Sequence, residues 1–353
     1  MNRSQVDPIA DAVLYEGYIL YPYRPSTKNR QRWTFGGLYP EPYCRQGSGD
    51  AWSQQTECLV VGNLETALEV IVRFLHLTSR QVGAFEPHLA EWPDGDEPAS
   101  RPVESLKVGE RLFQTWQEAE AREFAIEPTT LRDILASPLS RAFGFPGGRR
   151  SEPLFDPTGM VSGILVREQD DIVGNVEFSA AEVEEGLYRV TVRVLNLTPL
   201  EPGSSSRDAA LLRCLVSTHT ILGVERGEFV SLMDPPDRWR SAAAACRNIG
   251  VWPVLVGDDG RADMMLSSPI ILYDHPRIAP ESAGDLYDGT EIDEILTLRI
   301  MTLTDQEKGE MVAVDERAGD ILARTEALAR EQLMSLHGTF RGLQPSSKES
   351  IHG

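Results

Sequence analysis

The sequence predicts an α+β protein: an N-terminal β-rich, sandwich-like half followed by a smaller α/β and helical C-terminal half. Three observations carry that expectation. Alternating and continuous apolar runs of strand length crowd residues 55–200. The break Glu201-Pro-Gly-Ser-Ser-Ser206 follows them. Beyond it, apolar residues recur at helical spacing behind helix start signals. The expected divisions are 1–54, an aromatic and basic segment packed on the rest; 55–203, the sandwich-like domain with long loops; 204–341, the α/β part with C-terminal helices; and 342–353, a disordered tail.

In chain order, Tyr15, Tyr18, Tyr21, Tyr23, Trp33, Phe35, Tyr39 and Tyr43 interleave with Arg24, Lys28, Arg30 and Arg32, and no acid lies from Arg24 to Arg32. Thr66–Leu77 is apolar on both faces, the pattern of a strand buried on both sides. Residues 79–158 are rich in Pro, Gly and Glu and read mainly as loop, with short strands near Arg111–Phe113 and Glu123–Ile126. Val161–Arg167 and Ile172–Phe178 flank Glu168-Gln169-Asp170-Asp171, which predicts a hairpin. Leu187–Leu197 sets Tyr188, Val190, Val192 and Val194 against Arg189, Thr191 and Arg193, a half-buried strand. The pattern suits a sandwich or a barrel-like sheet.

Past the break, Asp208–Leu222 is apolar on most sides and predicts a buried helix stopped by Gly223. Phe229–Met233 suits a strand. Asp234 with Pro235 and Asp237 is a start signal for a helix to about Asn248. Val251–Val256 is strand-like, at an edge because of Pro253, and Gly257-Asp258-Asp259-Gly260 turns the chain into the run Met264–Tyr273. This strand–helix–strand order predicts a small α/β layer. Glu291–Met301, the capping box Thr304-Asp305-Gln306-Glu307 and the stripe Ile321, Leu322, Thr325 and Leu328 predict the C-terminal helices.

A chain of 353 residues can bury a sizeable core, in two domains or one large one with an appendage. Its 34 basic and 54 acidic residues give a net charge of −20, which opposes nucleic acid and anionic membrane surfaces as partners. The N-terminus lacks the apolar core of a signal peptide, and no apolar run reaches spanning length, so no membrane insertion is expected. Cys44, Cys58, Cys214 and Cys246 form no Cys-x-x-Cys pair and read as free thiols of a reducing compartment. The expected location is the cytoplasm, and the sequon Asn196-Leu197-Thr198 reads as a chance match.

The stretch from Asp274 to Glu294 holds seven carboxylates beside an apolar run, with His275 and a single base, Arg277. Like charges next to a core repel and lose hydration. A divalent cation, a basic partner or simple solvent exposure would each account for them. A metal site would use His275 with Asp274, Glu281, Asp285, Asp288, Glu291 and Glu294, although the spacing is not that of an EF-hand. Tyr21, Tyr23, Arg24, Lys28, Arg30, Arg32 and Trp33 have the composition of a protein contact surface, or of an internal dock on the acidic half. A stacking groove for single-stranded nucleic acid shares that composition but conflicts with the net charge. His219, at helical spacing from Leu212, Leu215 and Val216, reads as a core histidine; with Cys214 and Cys246 it could form a Cys/Cys/His cluster. Gly-x-Ser-x-Gly, the phosphate-binding Gly-Lys-Ser/Thr loop and Gly-x-Gly-x-x-Gly after a strand are all missing. No catalytic residue is assigned, and no cofactor beyond a possible divalent metal.

Several strings are shared with one family: Ala12-Val13-Leu14-Tyr15-Glu16-Gly17-Tyr18, Tyr21-Pro22-Tyr23-Arg24, Lys28-Asn29-Arg30, and Trp52 to Cys58. Further on are Phe229 to Pro236, Cys246-Arg247-Asn248, Ser267 to Pro276, and Thr290 to Leu296. On these the chain resembles a bacterial family encoded in NiFe-hydrogenase gene clusters, notably those of the high-affinity uptake type. The resemblance spans both ends and is weak through 79–158. It implies a setting, with a hydrogenase subunit or maturation factor as partner, and carries over no activity or site residue. The expected function is therefore a non-catalytic accessory or assembly protein acting through protein contacts. The alternative is a metallochaperone or metal-dependent hydrolase built on the acidic segment.

Overall fold

The structure, a computed structural model, describes residues 3–19, 36–93, 97–200, 206–258 and 260–276, together with Lys308, Leu322 and Ala323. In chain order the elements are α1 (Arg3–Ile19), α2 (Glu41–Cys44), β1 (Ser53–Val61), β2 (Ala67–Leu89), β3 (Arg101–Val103), β4 (Ser105–Val108), β5 (Arg111–Gln114) and β6 (Trp116–Thr130). Next come α3 (Leu131–Ala136), β7 (Leu139–Phe145), β8 (Gly148–Phe155), β9 (Val161–Gln169), β10 (Ile172–Glu184) and β11 (Leu187–Asn196). The last are α4 (Arg207–Leu211), β12 (Val216–Glu225), β13 (Glu228–Val230), a 3₁₀ turn (Asp237–Trp239), α5 (Arg240–Ala244), β14 (Trp252–Leu255) and β15 (Met264–Ser268).

The strands build two antiparallel sheets. One has the order β13-β1-β11-β10-β7; the other runs β14-β15-β12-β2-β9-β8, with β3 and β6 also paired to β2, and β4 and β5 form a separate two-stranded ribbon. Alternation sets the core. Tyr188, Val190, Val192 and Val194 of β11 and Cys58 and Val60 of β1 face Leu68, Val70, Val72 and Phe74 of β2, with Leu222 of β12 and Met265 of β15. The predicted alternation of β11 and the two-sided burial of β2 are both present. The outer face of β2 is covered because α1 lays Val6, Ile9, Ala10 and Val13, at i, i+3, i+4 and i+7, over Ile71, Ile221, Val254 and Leu266. Arg73, on the same face, pairs with Asp11 (2.7 Å), Asp7 (3.4 Å) and Glu123 (3.5 Å), fastening the helix to the sheet.

The predicted α/β and helical second half is overturned: from 206 to 276 the chain supplies four more antiparallel strands to the same two sheets. Asp208–Leu222 is not one helix. A five-residue helix, α4, capped by Ser206, gives way to β12, which lies between β15 and β2 and is buried on both faces. A continuous apolar run cannot separate a buried helix from a doubly covered strand; the β-branched residues Val216, Thr218, Thr220, Ile221 and Val224 were the available signal. The α/β layer fails for a related reason. β13 and β14 lie in different sheets, and the helix between them shrinks to the 3₁₀ turn and α5. The predicted hairpin at 168–171 is a crossing: β9 pairs with β2 and β8, β10 with β11 and β7. Residues 79–158 are largely strand rather than loop, since β2 runs on to Leu89 with β6 beside it. The C-terminal helix expectations and the tail fall outside the described residues, except that Leu322 is helical and buried.

Candidate interaction surface at the edge of the sandwich

Among the predicted site residues, Asp274 and His275 are described; Tyr21, Tyr23, Arg24, Lys28, Arg30, Arg32, Trp33, Glu281, Asp285, Asp288, Glu291 and Glu294 lie outside the described residues. Asp274 joins two sheet edges. Its Oδ1 accepts the outward backbone N–H of Leu255 on β14 (2.8 Å), and its Oδ2 accepts the hydroxyl of Ser231, just past β13 (2.5 Å). The Ser231 hydroxyl in turn accepts the N–H groups of Met233 and Asp234. His275 follows at φ +53°, donating its N–H to Leu255 O (2.8 Å). Together the two residues imitate a ladder rung on the free edge of β14, which blunts it against pairing with another strand. The His275 Nδ1 lies 3.2 Å from Gly257 O. A carbonyl only accepts, so Nδ1 carries the proton and Nε2 keeps a lone pair in the neutral ring.

Around this staple lie exposed apolar side chains. Ile271 (67% exposed) and Tyr273 (74%) point outward, while Leu272 between them is buried beneath α1. Trp252 (46%) opens β14, Ile249 (51%) precedes it, and Met233 (49%) follows Ser231. Scattered exposed apolar residues are ordinary, and these five lie within three residues in sequence of Asp274 or the groups it joins or, for Ile249, three residues ahead of β14.

Elsewhere the structure joins groups that no spacing revealed. Ser162 Oγ, His88 Nδ1 and Asp156 Oδ2 are mutually 3.2 Å apart. Serine and aspartate meet the same ring nitrogen, so the imidazole cannot pass a proton from one to the other as a hydrolase triad requires. Asp156 instead organises its turn: the Thr158 hydroxyl first, then the N–H groups of Thr158 and Met160 and the Ser162 hydroxyl, hold its carboxyl down at about 2.

The Cys214, Cys246 and His219 cluster does not form. Cys214 packs with Tyr39 and Tyr43, Cys246 lies with Leu59 and Leu187 outside the five-stranded sheet, and His219 lies on β12, beside Arg73 of β2. His219 is the core histidine expected, though on a strand: its Nδ1 donates to Ser217 O (2.7 Å), and burial lowers its pKa to about 4. All four cysteines are free thiols, and burial pushes Cys44 and Cys246 up to about 11, which suppresses their reactivity. Asn196 of the sequon is fully buried, its amide bonded to Leu38 O and Arg213 O. No group of three or more His, Cys, Asp or Glu among the described residues is placed to hold a metal ion. No helix among them is long and apolar enough to cross a membrane. Comparison with protein-family models and with curated proteins finds no match for the chain.

Proposed function

We propose that this protein is a non-catalytic accessory or assembly factor of a NiFe hydrogenase, acting in the cytoplasm by docking on a hydrogenase subunit or maturation protein. The observation that carries the contact reading is the apolar group Met233, Ile249, Trp252, Ile271 and Tyr273 around the Asp274 staple, immediately before the acidic run. Aromatic and large apolar side chains at a surface are the usual anchors of a protein interface. The hydrogenase setting rests on the strings shared with that family. The net charge of −20 favours a basic protein surface as partner over nucleic acid. The test is affinity co-purification from cells making the whole hydrogenase cluster. Trp252→Lys with Tyr273→Lys abolishes capture of hydrogenase components at unchanged Tm, as does charge reversal at Arg24, Lys28, Arg30 and Arg32. Undiminished capture by both variants would sink the docking reading.

One feature favours the metal alternative. The Gly257 carbonyl fixes the His275 tautomer, leaving Nε2 available, as the outer partners of metal-bound histidines commonly do. Asp274 would be a poor co-ligand, since both its oxygens are engaged. Elemental analysis of protein purified without a metal-affinity tag decides: stoichiometric metal that disappears in His275→Ala supports this reading.

A further inference from the structure

Buried polar groups collect where the two sheets face each other below the segment Gly36–Tyr39. That segment crosses between the sheets: Leu38 exchanges backbone hydrogen bonds with Leu215, ahead of β12, and its carbonyl also accepts from Asn196 of β11. On β1, Gln54 and Thr56 point inward in step with Cys58 and Val60. Thr56 Oγ1 lies 2.6 Å from Ser267 Oγ, so this face of β1 looks directly onto β15. Ser267 stands opposite Thr220 in the β12–β15 ladder.

Several of these groups have no partner. Gln54 is 3% exposed, yet no protein group hydrogen-bonds either its amide oxygen or its amide nitrogen. The Thr220 hydroxyl, fully buried, is unpartnered as well. So is that of Ser217, which sits at φ +52° in the bulge where β12 slips against β2. The next residue, Thr218, donates its N–H to Gly36 O, bringing the bulge beneath the crossing segment. A primary amide unpaired at both ends is costly inside a protein, and native interiors almost always satisfy such groups. The side chains Gln54, Thr56, Ser217, Thr220 and Ser267 carry no charge, so nothing here offsets the desolvation of an ion.

We propose that this end of the sandwich is a binding site for a small uncharged molecule bearing both hydrogen-bond donors and acceptors, held between the Gln54 amide of one sheet and the Thr220 and Ser217 hydroxyls of the other. Water is the smallest member of that class; a small amide or polyol is the other source. Successive inward residues on β1 are roughly 7 Å apart, and Thr220 is one strand from Ser267, so Gln54 and Thr220 flank the Thr56–Ser267 contact from the two sheets.

A crystal structure of the full chain tests this, together with Gln54→Met, Thr220→Val and the double variant, which keep the side-chain shapes and remove the polar ends. The expected result is density bridging Gln54 and Thr220, lost in each single variant with a fall in Tm. The double variant falls no further than the worse single, because one occupant serves both residues. Mass spectrometry of the denatured extract separates the sources: a stoichiometric organic molecule, or water alone. Unbridged Gln54 and Thr220 in the wild-type crystal, with Gln54→Met raising Tm, overturns the proposal. Should a variant fail to fold, the wild-type density alone decides.

Discussion

His219 shows how a single residue ties the fold to pH. Buried and neutral, its pKa is lowered to about 4 by loss of hydration, from an ordinary value near 6.5. Between those values the unfolded chain binds more protons than the folded one. The stability it contributes is therefore complete above about pH 6.5 and is lost as pH falls towards 4. The shift corresponds to about 3 kcal/mol, and His76, also lowered by burial, adds in the same direction. Urea titrations across this range should give a visibly flatter profile for His219→Gln than for the wild type; identical slopes would mean that the histidine charges without cost. Asp274 makes a second residue-scale case. Asp274→Ala removes the acceptor for Ser231 and Leu255 and should cost about 3 kcal/mol, measured as a lower urea midpoint with unchanged m-value.

At the scale of elements, α1 is held by an apolar stripe and by two cations, Arg73 beneath it and its own Arg3 on Glu123. Replacing Arg73 by Leu removes the partner of Asp11 and leaves Asp7 and Glu123 to Arg3 alone. The expected loss is about 1 kcal/mol, with faster hydrogen exchange confined to residues 3–19; exchange rising evenly over the whole chain would count against that picture. The crossing segment depends on Gly36. At φ +55° its position suits glycine, and an added Cβ would come within 2.2 Å of Pro269. Gly36→Ala should therefore lower stability by about 2 kcal/mol, seen as a drop in Tm. Some elements were legible in the sequence: β11 from its alternation, β2 from two-sided apolarity, and the edge position of β14 from Pro253. β12 was not, because its apolar run is continuous with that of α4, and the joint length from Asp208 to Leu222 is that of a helix rather than a strand. The 168–171 crossing escaped for another reason: two apolar runs around a polar tetrad look the same whether they pair with each other or with strands elsewhere.

At the scale of the molecule, the two halves of the sequence are woven together. β12 lies between β15 and β2, and β13 pairs with β1, so residues 55–203 alone would lack both neighbours. A 55–203 fragment should fail to give a cooperative unfolding transition; a stable folded fragment would show that the later strands are accessory. Long-range pairing of this kind carries no local signal, since it depends on strands more than a hundred residues apart. The sequence offered Asp274 and His275 as metal ligands; the structure engages both oxygens of the aspartate in joining two sheet edges.

By itself the sequence determined the quantities that are sums or local patterns. These were a strongly acidic chain, a β-rich core between 55 and 200, free and unpaired thiols, and the alternating faces of individual strands. The tertiary structure alone decided which strand pairs with which. It also decided that the 206–276 region completes the sheets instead of forming a helical layer, and where buried polar groups meet. The physical reason is cooperativity across distance. A residue's neighbours along the chain set its preference, but burial on a second face, a bulge at 216–219 or an edge closed by Asp274 arises only when distant segments come together.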